Sequence, residues 1–361
     1  MKVRTWVGLD VHAHRSHAAL IDAQSGELRR RRIEGPPSAI VDLLIEQPGP
    51  LRAVYEAGPT GFGLARAGAR RGLEVRVCAP GLTPRKPADR VKTDAKDAER
   101  LARLLMAGEL GFARVPSLEE ERLRDLVRAR EDLRQDLMRA RHRLGKLCLR
   151  RELRFPGPGG AWTLAHLGWL SGLRFDDAAS RVVHADYLAA VQALMQRRGV
   201  LEAALGEQAT AGPFAEPVAR LRAFRGIDTL SALGLVAEIG DFARFARPTQ
   251  VGDYLGLTPS EHTSDTKRRQ GAITKAGPAH ARRLAVEAAW HYRHRPAIGA
   301  GLERRQRGVD PRVCQVAWRA QRRLHARWQV LGLERGKPGG TVAVACAREL
   351  GCFLWEAATL R

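Results

Sequence analysis

The chain has 361 residues, and its 61 Lys/Arg against 39 Asp/Glu give a formal net charge of +22. Such an excess of positive charge attracts polyanions, so nucleic acid is the expected partner. No run approaches the roughly 18 apolar residues of a membrane span, and residues 1–6 offer no signal peptide. Five scattered cysteines without a CxxC pair predict neither a zinc site nor a disulfide framework, which fits a reducing cytoplasm.

Strands and helices alternate in the first 115 residues. The pattern predicts strands at 3–10, 18–22 and 28–33, followed by a helix at 38–46, a strand at 51–56, a helix at 62–71 and a strand at 74–78. Three antiparallel strands followed by strand–helix units match the plan of RNase-H-like domains. We therefore expect an α/β domain over residues 1–115.

Four carboxylates in this domain are hard to explain by folding alone. Asp10 and Glu56 each end a predicted strand, whereas Asp94 and Asp97 lie three residues apart on one face of a predicted helix start. Mg²⁺ prefers such oxygen ligands, and two ions can clamp the attacking and leaving oxygens of a phosphodiester displacement. Singly, each acid could instead cap a turn or helix or pair with an arginine. Jointly they predict a metal site.

Residues 116–212 are predicted to form a helical arm. Apolar residues recur at three- and four-residue steps from Leu123 to Leu147, and Arg130 alone interrupts them. This seam indicates either a coiled coil or an amphipathic helix packed on its own domain. A Pro/Gly-rich turn at 155–160 ends the helix, and helical sequence then resumes, which predicts a helical hairpin.

The remaining part, residues 213–361, is predicted to be mostly helical and contains the most basic stretch, with 17 Lys/Arg against 5 Asp/Glu in residues 262–335. A loop at 257–277 combines hydroxyls, glycines and cations. In it Ser264 could attack phosphorus while neighbouring cations offset the growing charge, although a simple polar turn is the alternative. The expected nucleic-acid contacts are Lys267, Arg268, Arg269 and Lys275.

Five motifs carry a resemblance to a known family. They are GLDVH at 8–12, YEAGP at 55–59, KTDAKDA at 92–98, EIGD at 238–241 and YLGLTP at 254–259. Their order and spacing resemble those of the DEDD insertion-sequence transposases, the one-ten family, which are relatives of the Piv DNA invertase. The resemblance covers nearly the whole chain. It implies a RuvC-like DEDD domain at 1–115, a coiled-coil arm at 116–212 and a transposase domain with a catalytic serine at 213–361.

By this resemblance, Asp10, Glu56, Asp94 and Asp97 bind Mg²⁺, and Ser264 forms a transient phosphoserine link to DNA. The implied partners are donor DNA, target DNA and a structured bridge RNA, with assembly as a dimer to tetramer in a bacterial cytoplasm, at the nucleoid during the reaction. The chain departs from the family at Asp265, where glycine is common, and at Asp228, where a second glycine is usual.

Three other classes of protein remain as alternatives. A RuvC-like hydrolytic nuclease acting at junctions would use the same acids with water as the nucleophile, and Ser264 would be dispensable. An actin-like kinase shares the strand plan, but the missing adenosine-binding glycine motifs and the strong positive charge argue against it. A nucleic-acid scaffold without catalysis would tolerate the loss of every acid.

Overall fold

The structure is a computed structural model that describes residues 2–84, 93–264 and 267–360, with the backbone alone at Leu82, 262–264 and 267–269. The chain divides into two compact units, Met1–Ser117 and Leu118–Arg361. The first unit is a mixed α/β structure, and the second is largely helical.

The described residues of the first unit form one six-stranded sheet and three α-helices. The strands are β1 (Thr5–Asp10), β2 (Arg15–Asp22), β3 (Leu28–Glu34), β4 (Leu51–Glu56), β5 (Glu74–Cys78) and β6 (Phe112–Ala113). The helices are α1 (Ser38–Ile45), α2 (Gly63–Arg70) and α3 (Asp94–Ala107).

The sheet has the order β3-β2-β1-β4-β5-β6. Strands β1 to β3 are antiparallel, β1, β4 and β5 run parallel, and the two-residue β6 pairs antiparallel with β5. Side chains alternate between the two faces of a strand, so β1 contributes Val7 and Leu9 to the core that also holds α1 and α2. The opposite face is covered by α3, whose Ala98 and Ala102 pack beside Ala19 of β2.

The described residues of the second unit form ten α-helices and a two-stranded hairpin. The helices are α4 (Leu118–Arg150), α5 (Leu164–Gly172), α6 (Ala178–Thr210), α7 (Ala215–Arg222), α8 (Thr229–Ile239), α9 (Thr249–Tyr254), α10 (Ala279–Ala289), α11 (Ala300–Gln306), α12 (Pro311–Trp328) and α13 (Gly339–Thr359). The hairpin consists of β7 (Pro259–Ser264) and β8 (Lys267–Ile273). A π-helical segment at Gln329–Glu334 extends α12.

The leucine seam of α4 is covered by other helices of the same unit. Leu123 and Val127 join the large core built around α8, whereas Leu137 and Leu144 pack in a smaller core with Val191 of α6. The residue that interrupts the seam, Arg130, forms an ion pair with Glu202 of α6 at 2.7 Å. Helices α4 and α6 therefore form a hairpin within the chain, and α4 is an amphipathic helix packed on its own unit.

In the part of the chain that the structure describes, every helix is too short or too polar to cross a bilayer. The predicted loop at 257–277 differs from the structure, because most of it is the β7–β8 hairpin. Most residues of both strands are polar or charged, so the apolar alternation by which a strand is recognised is missing.

Candidate active site

Two of the predicted acids are the last residues of parallel neighbouring strands. In the register of β1 and β4, Leu9 lies opposite Tyr55, so Asp10 and Glu56 end their strands side by side. Alternation along the strands places both acids on the face that α3 covers, since Gly8 and Val54 point to that face. The carboxyl ends of two parallel strands thus bring Asp10 and Glu56 to one edge of the sheet.

The other two acids lie in the first turn of α3. Thr93 caps this helix, because its Oγ1 accepts a hydrogen bond from the backbone N–H of Lys96 at 3.4 Å. Asp94 and Asp97 also occupy the end of the helix where its dipole favours negative charge. The helix approaches β1 closely because Gly8 has no side chain: an added Cβ would overlap backbone atoms of Ala98 and Ala102.

Three side chains converge at the exposed rim of this edge. Ligand atoms of Asp10, His12 and Asp94 all lie within 4.8 Å of one another. His12 Nε2 is 3.3 Å from Asp10 Oδ2, and His17 Nε2, from the strand position opposite Asp10, is 3.8 Å from Asp94 Oδ2. Two strands and one helix therefore contribute to a cluster of oxygen and nitrogen donors.

The remaining two acids share one guanidinium group. Arg100 NH2 lies 3.1 Å from Asp97 Oδ1 and 3.6 Å from Glu56 Oε1. Glu56 Oε1 is shielded from solvent and has no hydrogen-bond partner among the described residues. A buried carboxylate oxygen without a hydrogen bond is costly, which makes it available to a cation or a water molecule.

The donors fit a divalent cation. Carboxylate oxygens are the ligands that Mg²⁺ prefers, and an ion bound through one or two carboxylates keeps several waters. Asp10 and Asp94 could supply such oxygens, while Arg100 pairs with Glu56 on the neighbouring strand and with Asp97 in the same first turn of α3.

Residues His12, His17 and Arg100 were not among the site residues predicted from sequence. The sequence could have indicated the contact of Arg100 with Asp97, because Arg100 lies three residues after Asp97 on the same helix face. His17 could be found only from the register of the β1–β2 hairpin, which sets residue 17 opposite residue 10.

The predicted serine lies in the second unit, at the end of β7. Ser264 pairs with Lys267 in the register of the hairpin, followed by Thr263 with Arg268. The side chains of these residues and of Arg269 lie outside the described part of the chain, as do Asp265 and Thr266. The structure therefore describes the backbone of the strands that carry Ser264 and its basic neighbours, and the positions of those side chains are not described.

Two glycines fix the base of this hairpin. A Cβ on Gly256 would overlap the backbone of Ala276, and one on Gly277 would overlap the carbonyl oxygen of Tyr254, while both glycines have positive φ. Lys275, exposed and also at positive φ, donates its backbone N–H to the Gly256 carbonyl at 3.1 Å. These contacts explain the glycine of the motif at 254–259 and the glycine at 277.

The motif at 238–241 has a structural role in this unit. Glu238 is 3% exposed, and Arg128 of α4 donates two hydrogen bonds to its carboxylate, at 2.9 and 3.0 Å. His280 Nδ1 lies 3.8 Å away from Glu238 Oε1. Burial raises the pKa of Glu238, but the contacts with His280 and Arg128 outweigh it and lower that pKa to about 2. These contacts join α4, α8 and α10 around the buried carboxylate of Glu238.

Comparison with known proteins places this arrangement in a family. Residues 218–301 match the family described as "Transposase IS116/IS110/IS902 family", and residues 7–151 match the DEDD transposase family of IS110 elements, described as "Transposase". These ranges include the four acids, the hairpin and Glu238.

Two relatives that match nearly the whole chain support the same family. The chain is 39% identical to "Putative transposase y4qE" of Sinorhizobium fredii (strain NBRC 101917 / NGR234), over 98% of this chain and 88% of that protein. It is 32% identical to "Transposase for insertion sequence element IS1533" of Leptospira borgpetersenii, over 93% and 99% of the two chains. The chain belongs to the IS110 family of insertion-sequence transposases, enzymes that cut and join DNA.

Proposed function

We propose that this transposase performs Mg²⁺-dependent, RNA-guided DNA strand exchange through a phosphoserine intermediate. The first unit would be an RNase-H-like, RuvC-like catalytic domain. The observation that carries this proposal is the position of the four acids: two end the parallel central strands β1 and β4, and two lie in the first turn of the helix packed across them. The strand order β3-β2-β1-β4-β5, with three antiparallel strands first, supports the fold assignment.

Asp10, Glu56, Asp94 and Asp97 would hold the metal. Bound Mg²⁺ would stabilise the negative charge that builds up on the phosphate during displacement. Without metal, Arg100 holds Glu56 and Asp97 in place through its two ion pairs, and a bound cation would displace the guanidinium from them. His12 holds Asp10 in the same way from the rim.

Ser264 would be the nucleophile. Its Oγ gives up its proton and forms a bond to phosphorus, the bond from phosphorus to one deoxyribose oxygen breaks, and that oxygen takes up a proton. Attack of a different strand end on the phosphoserine reverses these changes and restores the serine. Because each step exchanges one phosphoester bond for another, strand exchange needs no ATP.

The basic residues at the hairpin would contact the nucleic-acid backbone. Lys267, Arg268, Arg269 and Lys275 lie in or beside β8, within the most basic stretch of the chain. Such contacts position a duplex but carry little sequence information, which suits a protein whose target is chosen by base pairing with a bridge RNA. The nucleoid is where such an enzyme would meet donor and target DNA.

We further propose three functional parts: the catalytic domain at 1–115, the helical arm at 116–212 and the transposase domain at 213–361. The seam of α4 is covered within the chain, so a homo-oligomer, dimer to tetramer, would use other surfaces of the arm. Leu164, Val182 and Val200 are the strongest candidates, because these apolar side chains are exposed.

Recombination in cells tests the proposal. Cells would carry the gene with its native flanking DNA, and junctions would be sequenced for the parent, Ser264→Ala and Asp97→Ala at matched protein levels. We expect precise junctions from the parent and none from either variant. Asp97→Ala should still bind RNA, since the acid serves the chemistry and not the backbone contacts.

A different pattern would point to the hydrolytic nuclease. If Ser264→Ala recombines at the parent's level while Asp97→Ala does not, the serine is not the nucleophile and water takes that role. Loss of RNA binding in a folded Asp97→Ala variant would refute the separation between chemistry and RNA binding.

A further inference from the structure

An open aromatic pocket lies at the tip of the arm. It has a volume of about 380 Å³, within the range of about 300–1,000 Å³ that is typical of ligand sites. Residues from the end of α4, the turn at 155–162 and α5 line it. The candidate active site involves none of these residues.

Four rings gather around this pocket. His166 lies at the centre, with ring centroids 5.2 Å from Phe155, 5.2 Å from Trp162 and 5.5 Å from Trp169. All four residues are only half-buried, so the rings retain surface that a ligand can cover. Flat π surfaces of this kind accept a planar base by stacking or edge contact.

The polar groups of the pocket are basic. Arg141, His142, Lys146 and His166 line it, and none of its lining residues is acidic. The Arg141 guanidinium lies 5.1 Å from the centre of the Trp162 ring, and its Nε is shielded from solvent without a hydrogen-bond partner among the described residues. Burial, and then the charge of Arg198, lower the pKa of Arg141. An anion would supply the missing countercharge.

The backbone at Trp162 is held in an unusual conformation. Its φ is +71°, a value rare for a residue with a side chain, and its N–H donates to His166 Nδ1 at 3.1 Å. Since Nδ1 accepts this hydrogen bond, the neutral imidazole carries its proton on Nε2 and can donate it to a ligand. The pocket thus combines aromatic surface, a hydrogen-bond donor and an uncompensated cation.

We propose that this pocket binds one unpaired nucleotide of a single-stranded nucleic acid, with the base against the aromatic rings and the phosphate at Arg141. A second copy of the chain is a poorer occupant, because it also carries a net charge of +22. The proposal does not rest on the strand-exchange mechanism, since an inactive protein would bind the same strand.

Binding by the full-length protein tests this site. Fluorescence anisotropy would follow labelled 12-nucleotide U₁₂ RNA and T₁₂ DNA, with a 12-base-pair DNA duplex as reference. We expect Trp162→Leu to weaken single-strand binding about 5- to 100-fold, as loss of one base contact does, and Arg141→Gln to weaken it by a similar factor through loss of the phosphate contact. Both variants should leave duplex binding unchanged. A preference for U₁₂ would indicate guide RNA as the ligand, and a preference for T₁₂ a displaced DNA strand.

Two control variants match the tested ones. Arg139→Gln removes an exposed cation of α4 that pairs with Asp136, and Trp318→Leu removes a partly exposed tryptophan of α12. Both should bind single strands within about twofold of the parent, because surface changes of this kind usually have small effects. Thermal unfolding of each variant identifies any that fails to fold.

Photo-crosslinking locates the contact independently. Tryptic cleavage after Arg154 and Arg174 releases one peptide, residues 155–174, that holds all four rings. Crosslinks from a 4-thiouridine or 4-thiothymidine strand should appear on this peptide and disappear in Arg141→Gln. The proposal is overturned if folded variants bind single strands like the parent and this peptide carries no crosslink. It is equally overturned if Trp162→Leu only dissociates an oligomer, seen by light scattering, with single-strand binding intact.

Discussion

The backbone of Gly8 in β1 packs directly against the carbonyl group of Ala98 in α3. A methyl group at position 8 would overlap that oxygen and the Ala102 amide nitrogen, and neither backbone atom can move without shifting the helix. This contact sets the distance between Asp10, two residues further along β1, and the first turn of α3. The motif at 8–12 therefore combines a packing residue with a candidate metal ligand.

Replacing Gly8 by alanine should push α3 away from the sheet. We expect a loss of roughly 3 kcal/mol of unfolding free energy or more, because overpacking here meets backbone atoms. The displacement of α3 would appear as faster hydrogen exchange in peptides from β1 and α3. Calorimetry would show weaker Mg²⁺ binding. Gly63→Ala is the matched control, since a Cβ there meets open space. Unchanged exchange in Gly8→Ala would contradict the close packing.

Arg100 and a divalent cation should compete for Glu56 and Asp97. Arg100→Gln removes the guanidinium that neutralises both carboxylates, so the variant should be less stable without metal and gain more from added Mg²⁺ than the parent. Melting temperatures with and without about 10 mM Mg²⁺ measure the gain in stability. Arg103→Gln, which loses only its pair with Glu99, should respond like the parent. Equal gains in all three proteins would exclude the competition.

Glu238 should stabilise the second unit at neutral pH and lose this effect in acid. Its pKa is about 2 in the folded protein, below the ordinary value of 4.5, so its contribution is present above pH 4.5 and disappears as the pH falls towards 2. Glu238→Gln should cost on the order of 2–3 kcal/mol at pH 7, and the difference from the parent should shrink between pH 5 and 3.

Urea unfolding followed by tryptophan fluorescence suits this test, because six of the seven tryptophans lie in residues 118–361. Glu216→Gln is the control: its carboxylate is exposed and pairs with Arg220, so it should change stability by less than about 0.5 kcal/mol. A difference between Glu238→Gln and the parent that stays constant from pH 7 to pH 3 would argue against the lowered pKa.

Lys275 should contribute one phosphate contact. Lys275→Gln should weaken duplex binding and reduce the slope of log K against log salt by about 1, whatever the sequence of the DNA. Lys2→Gln, which removes the same charge from the first unit, should keep the parent's slope. Titrations at several salt concentrations provide both slopes, and an unaltered slope in Lys275→Gln would remove this residue from the interface.

Much of the first unit could be predicted from sequence because the apolar runs of β1 and β4 end sharply at Asp10 and Glu56. The length of α4 followed from its leucine spacing. The two-residue β6 is too short for any period, and β7–β8 carries charges where strands usually show alternation. Ion pairs such as Arg128–Glu238 join residues 110 positions apart, so only the fold brings them together. The four rings of the arm pocket are close in sequence, but only the fold gathers them around His166.

The most direct test of the central claim is detection of a covalent protein–DNA adduct at Ser264. Protein expressed together with RNA from its flanking region would be incubated with end-labelled element DNA and Mg²⁺, quenched with detergent and analysed by denaturing gel and mass spectrometry. We predict a labelled adduct on the peptide containing Ser264 in the parent, and none in Ser264→Ala or Asp10→Asn. Cleaved DNA without an adduct, produced equally by the parent and Ser264→Ala, would contradict the phosphoserine mechanism.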